Sequence, residues 1–195
     1  MVAILPRGPR HSLVAHVPNL LCLARVAAVP VIIWAILDHD YQLALWIFVA
    51  AGITDALDGF IAKRFGAESV FGAFLDPVAD KALLVGVYVA LAACDLLPVW
   101  LVILVVFRDL LIVGGALVVQ VVTQRLSMEP LAISKANTVA QIGLAALVLG
   151  VAAFGLSAAD VIRFSEAVVV CTTVLSGVAY VVTWTRKVAE WERER

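Results

Sequence analysis

The sequence predicts an all-α integral membrane protein of six transmembrane helices, and three observations predict it. The 195 residues are 64% hydrophobic and only 15% charged, with a mean hydropathy of +1.06, whereas about a quarter of the residues of a soluble domain carry charge. Six apolar stretches are each long enough, at roughly 20 residues, to cross the hydrocarbon core as a helix. Short polar segments separate them, leaving no room for a soluble domain.

Residues 1–17, with Pro6, Arg7, Gly8, Pro9 and Arg10, read as a short lead with room for a helix along the membrane surface. Pro18-Asn19 opens the first span, 19–37, and Asp38-His39-Asp40 closes it. The second span, 41–62, ends before the polar run from Arg64 to Ser69, and the third, 71–93, before Asp95 and Pro98. Span four, 97–122, gives way to Gln124 through Pro130, and span five, 132–155, to Ser157 through Asp160. Residues of these types punctuate helices because they form turns or lack a donor. Span six, 163–184, completes a transmembrane domain over 18–185, and the charged tail, 186–195, suits a helix leaving the bilayer at its interface.

Net charge is −1, so it carries no message about nucleic acid, but the placement of charge is informative. With six spans both termini share one side, which receives Arg7, Arg10, Lys63, Arg64, Arg125, Arg186, Lys187, Arg193 and Arg195. The opposite loops hold Asp38, Asp40, Asp95 and Asp160 with Arg163 as their cation. Cytoplasmic loops are enriched in Lys and Arg, so both termini and the loops after spans two and four are expected in the cytoplasm, and the protein in the inner membrane. Cys22, Cys94 and Cys171 lie far apart without CxxC or Cys/His spacing, and read as small buried residues. The first apolar segment is expected to be retained as a span and not cleaved.

A carboxylate inside a span costs roughly 2.5–3.5 kcal/mol on insertion scales, so several together mark a site. Asp55 and Asp58 lie three apart near the end of span two, and Asp76 and Asp80 four apart at the start of span three. Each pair therefore shares a helical face. A hairpin over Lys63 to Gly72 would bring the two pairs to one depth. Four adjacent carboxylates repel unless protons, basic side chains or a multivalent cation relieve them. Oxygen-only ligands favour magnesium, manganese or calcium over zinc, and two such ions suit attack at a phosphorus. Gly52, Gly59, Ala62, Gly72 and Ala73 recur on the same helices, where small residues permit close helix packing or close approach of a ligand.

Asp55, Asp58, Gly59, Ala62, Lys63, Gly72, Asp76 and Asp80 keep every spacing of D-x2-D-G-x2-A-R-x8-G-x3-D-x3-D. In this the chain resembles the CDP-alcohol phosphatidyltransferases, departing only at Lys63, where the family has arginine. A lysine keeps the charge but loses the planar fork, and Arg64 is adjacent. The resemblance implies a six-span fold, usually homodimeric, with a cavity open to the cytoplasm. It further implies that Asp55, Asp58 and Asp76 hold two Mg²⁺ or Mn²⁺ ions, and that Asp80 adds a ligand or acts as the base. Gly59, Ala62, Lys63 and Gly72 would contact the CDP-diacylglycerol donor. Pro18 through Arg25 is similar to the family's first-span opening, where Asn19 and Arg25 are either nucleotide contacts or interfacial anchors.

The segment Phe71 through Lys81 resembles the branch that makes phosphatidylglycerophosphate or cardiolipin. Within it, Arg108-Asp109 and Ser134 through Thr138 are similar to cardiolipin synthases of this type; glycerol 3-phosphate users often carry a second lysine where this chain has Asn137. Phosphatidylglycerol, with one phosphodiester charge, needs fewer cations than the dianion glycerol 3-phosphate. Arg108, with Lys135 beside it, is the candidate for the acceptor's phosphate. An ion pair from Arg108 to Asp109 or another helix that supports packing is the alternative, and Gln141 reads as a helix-to-helix hydrogen bond. A transporter using the carboxylates as a proton or cation relay is the competing class.

Overall fold

A computed structural model describes the backbone of residues 10–65, 70–123 and 131–193, and their side chains except at 10–22, 56–79, 117, 120–123, 187 and 190–192. Six helices follow one another: α1 (Arg10–Leu37), α2 (Tyr41–Phe65), α3 (Val70–Ala93), α4 (Val99–Thr123), α5 (Ala132–Phe154) and α6 (Ala159–Arg193). No strand occurs among the described residues. Their order and number match the six predicted stretches. Two boundaries differ. α1 starts at Arg10 instead of Pro18-Asn19, because no breaker lies between Ser12 and Val17 and an internal proline is tolerated in an apolar helix. α6 likewise runs on through Arg186 to Arg193 without a break before the tail.

Three helix ends are set by left-handed residues. His39 (φ 62°), Asp95 (φ 58°) and Gly155 (φ 60°) follow α1, α3 and α5. The Asp40 amide donates to the Ala35 carbonyl and His39 to Ile36, while Leu96 donates to Leu91 and Asp95 to Ala92. These bonds satisfy carbonyls that a helix C-terminus otherwise leaves open. Asp40 then caps α2, its Oδ1 accepting from the Leu43 amide at 3.1 Å.

The chain forms two compact units, Met1–Ala90 and Leu91–Arg195. In the first, Ile32, Ala35 and Ile36 of α1 and Ala44, Phe48 and Ala51 of α2 are buried at helical spacing. Gly86 of α3 faces α1, where a Cβ would come within 3.0 Å of the Ile33 side chain. Trp34 and Trp46, both exposed, flank the α1–α2 turn, as aromatic residues do at a membrane interface.

In the second unit α6 packs on both α4 and α5. Its outer surface is apolar, with Phe107, Leu110, Val139 and Phe164 all more than 60% exposed, while Arg108, Asn137, Gln141, Thr173 and Ser176 are buried. Water would reverse that pattern; lipid favours it, because helices there associate through close packing and internal hydrogen bonds. Among the described residues, three helical segments are long and apolar enough to cross a membrane: Val99–Ala116, Ala132–Phe154 and Ala159–Arg186. Shorter apolar segments, Leu23–Leu37 and Tyr41–Asp55, lie in the first unit. This is a membrane protein.

Asn137 shows what joins α5 to α6. It is 0% exposed, and its Oδ1 accepts from Thr172 at 2.8 Å and Thr173 at 2.9 Å. Asn137→Ala should lower unfolding free energy in detergent micelles by about 1–2 kcal/mol, combining the lost bonds with a small cavity. Denaturant unfolding followed by circular dichroism checks this.

Candidate active site

α1, α2 and α3 each bring a charged side chain to one point. Arg25 Nη1 donates to Asp80 Oδ1 at 2.6 Å and lies 2.9 Å from Asp55 Oδ1. One nitrogen thus touches carboxylate oxygens from two helices, which makes Asp55 and Asp80 neighbours. Their exposures differ sharply from that of the arginine: its side chain is 1% exposed, those of Asp55 and Asp80 are 49% and 45%. The guanidinium is enclosed, and the carboxylates are about half open to solvent. Asp55 follows Thr54, whose hydroxyl donates back to the Ala51 carbonyl at 2.8 Å, a bond that keeps this polar turn helical.

The donor set fits a hard divalent cation, since the two described carboxylates supply oxygen only and already share one positive group. No group of three His, Cys, Asp or Glu side chains is assembled among the described residues. The side chains of Asn19, Asp58, Gly59, Ala62, Lys63, Gly72 and Asp76 lie outside those residues. On the backbone, α2 continues through Lys63 to Phe65 and α3 resumes at Val70, so the connection is shorter than the Lys63-to-Gly72 hairpin read from the sequence.

Arg25, read from the sequence as a nucleotide contact or an interfacial anchor, pairs with two of the motif aspartates. The signal that could have found this is electrostatic: an arginine in an apolar helix needs a carboxylate partner, and the aspartate motif offers them.

Arg108 has a different setting. It is 4% exposed, pairs with Asp109 at 2.8 Å, and donates through Nη2 to Ser134 of α5 at 2.8 Å and to Ser176 of α6. Asp109 is itself buried, its side chain 11% exposed. The guanidinium therefore ties α4 to α5 and α6, while its Nε lacks a hydrogen-bond partner. Lys135, next to Ser134, is exposed and pairs with no carboxylate among the described residues. A groove of about 300 Å³ between α4 and α6 runs past Arg108, lined by Leu104, Phe107, Val174, Gly177 and Val178.

The match to known proteins agrees with this geometry. Residues 15–185 match the CDP-alcohol phosphatidyltransferase family model, and the chain belongs to that family. It is 39% identical over 183 residues to a chloroplastic CDP-diacylglycerol–glycerol-3-phosphate 3-phosphatidyltransferase of Oryza sativa, covering 85% of this chain and 56% of the relative. It is also 32% identical over 180 residues to the Homo sapiens cardiolipin synthase (CMP-forming), covering 84% and 60%. A probable phosphatidylglycerophosphate synthase of Mycobacterium tuberculosis is 37% identical over 103 residues, half of each chain. The chain thus spans between about half and three fifths of these relatives.

Arg108→Met should destabilise the protein by about 3–5 kcal/mol, because it leaves the buried Asp109 without its guanidinium. Adding Asp109→Leu should recover part of the loss. Thermal unfolding of the single and double variants in one detergent measures both changes.

Proposed function

We propose that the chain transfers a phosphatidyl group from CDP-diacylglycerol to the hydroxyl of phosphatidylglycerol, releasing CMP and forming cardiolipin. The observation that carries the reaction class is the meeting of Asp55 and Asp80 on one cationic nitrogen, within a chain of this family. In this reading Asp55, Asp58, Asp76 and Asp80 hold two Mg²⁺ or Mn²⁺ ions, which when bound neutralise the charge that develops on the pyrophosphate. Gly59, Ala62, Lys63, Gly72 and Asn19 line the donor's nucleotide. Asp80, half exposed, takes the proton from the acceptor hydroxyl. That oxygen attacks the phosphorus bearing the diacylglycerol, the bond to the bridging oxygen breaks, and CMP departs.

Two observations favour a lipid acceptor. The charge of Arg108 is already balanced by Asp109, and Asn137 is buried against α6, so Lys135 is the exposed cation at this end of α5 among the described residues. One cation suits a phosphodiester better than a dianion. The apolar groove beside Arg108 suits an acyl chain. Glycerol 3-phosphate is the second reading, favoured by the Oryza sativa relative. The protein would sit in the inner membrane with six spans, both termini and the site cytoplasmic, as a homodimer.

Purified protein should form cardiolipin and CMP from CDP-diacylglycerol and phosphatidylglycerol only with magnesium or manganese present. Mass spectrometry of the lipid product decides: phosphatidylglycerophosphate made from glycerol 3-phosphate alone reassigns the acceptor, and proton-coupled flux without CMP release returns the chain to the transporters. Asp80→Asn should cut turnover by about 10²–10⁴-fold with helix content unchanged.

A further inference from the structure

We infer that Arg25 is a positioning residue for the cation site: a fixed, buried counter-charge that holds Asp55 and Asp80 by their inner oxygens and aims them at an incoming divalent cation. The inference rests on the metal-binding reading above. Two roles could be drawn from the same ion pairs, and exposure separates them. A competitor that must leave when a cation arrives would occupy the open face of the carboxylates. Arg25 instead has a side chain only 1% exposed, while both aspartates remain nearly half open. A cation arriving from solvent would therefore meet the exposed part of the carboxylates while the guanidinium stays enclosed.

Its grip is also specific in geometry. Asp55 is on α2 and Asp80 on α3, and a single nitrogen of α1 contacts Oδ1 of each. Without that shared donor the two carboxylates repel and turn apart into solvent, and the chelating pair is lost. Such outer partners of ligating carboxylates fix ligand orientation, and their removal commonly lowers metal affinity 10–100-fold. A guanidinium acting only through its charge would do the opposite, since one more positive group weakens cation binding. The sign of the change separates positioning from competition.

The test is Mn²⁺ binding to the purified full chain in detergent without lipid substrate, read by electron paramagnetic resonance of the free ion. Arg25→Gln should weaken Mn²⁺ affinity at least about tenfold, and Arg25→Lys, which keeps charge and one set of donors, should fall between it and the unaltered chain. Equal or tighter binding in Arg25→Gln overturns the inference. Should that variant not fold, Arg25→Lys decides alone: reduced affinity supports positioning, and equal or higher affinity overturns it. Absence of Mn²⁺ binding to the unaltered chain overturns the metal reading itself, a result distinct from failure of the Arg25 role.

Discussion

A charge inside an apolar medium must meet its opposite, and the first unit is organised around one such meeting. Arg25 of α1 reaches Asp55 and Asp80 from the two helices that follow. Because an unpaired partner would be far costlier than the pair, this contact fixes the depth and rotation of α1, α2 and α3 together. Apolar packing by Ile32, Ile36 and Phe48 accompanies it, but such contacts are interchangeable among aliphatic faces and do not select one register. The ion pairs do.

The second unit solves the same problem differently. There Arg108 and Asp109 are adjacent in sequence, both are buried, and serines from α5 and α6 complete the cluster. Asn137 and its two threonines add a second polar joint between α5 and α6. Everything in that cluster turns inward. At Arg25 only the arginine is enclosed, and the aspartates keep their outer faces open. An ion pair that merely supports packing gains nothing from exposing half of two carboxylates, which draws water into an apolar surrounding. The half-exposed pair is the one a ligand from solvent can reach.

Much of this was legible in the sequence, for reasons that particular residues make plain. The ends of α1 and α3 were readable because Asp38-His39-Asp40 and Asp95 are polar residues tolerant of the left-handed conformation the turns require. The aspartate spacing was readable because a helix repeats every 3.6 residues, so offsets of three and four share a face. The start of α1 was not: Pro18 looks like a boundary, and only the surroundings of a helix decide whether an internal proline is accommodated. Arg25 is 55 residues from Asp80, and no periodicity links them; their meeting depends on how three helices are rotated. Asn137 marks the same limit, since nothing in its spacing shows that its side chain turns into α6 to accept from Thr172 and Thr173.

Charge balance carries the argument one step further. Four aspartates and Arg25 bring three net negative charges to the proposed site, one fewer than two divalent cations supply in positive charge. Without the arginine, ligands and cations would cancel; with it, a filled site is left positive. That residual charge would suit a pyrophosphate diester, whose two negative charges would more than offset it. In that reading, binding of cation and of donor lipid would favour each other through their opposite charges. A buried arginine placed among acidic ligands, which at first sight works against cation binding, would then also add to the site's attraction for an anionic substrate.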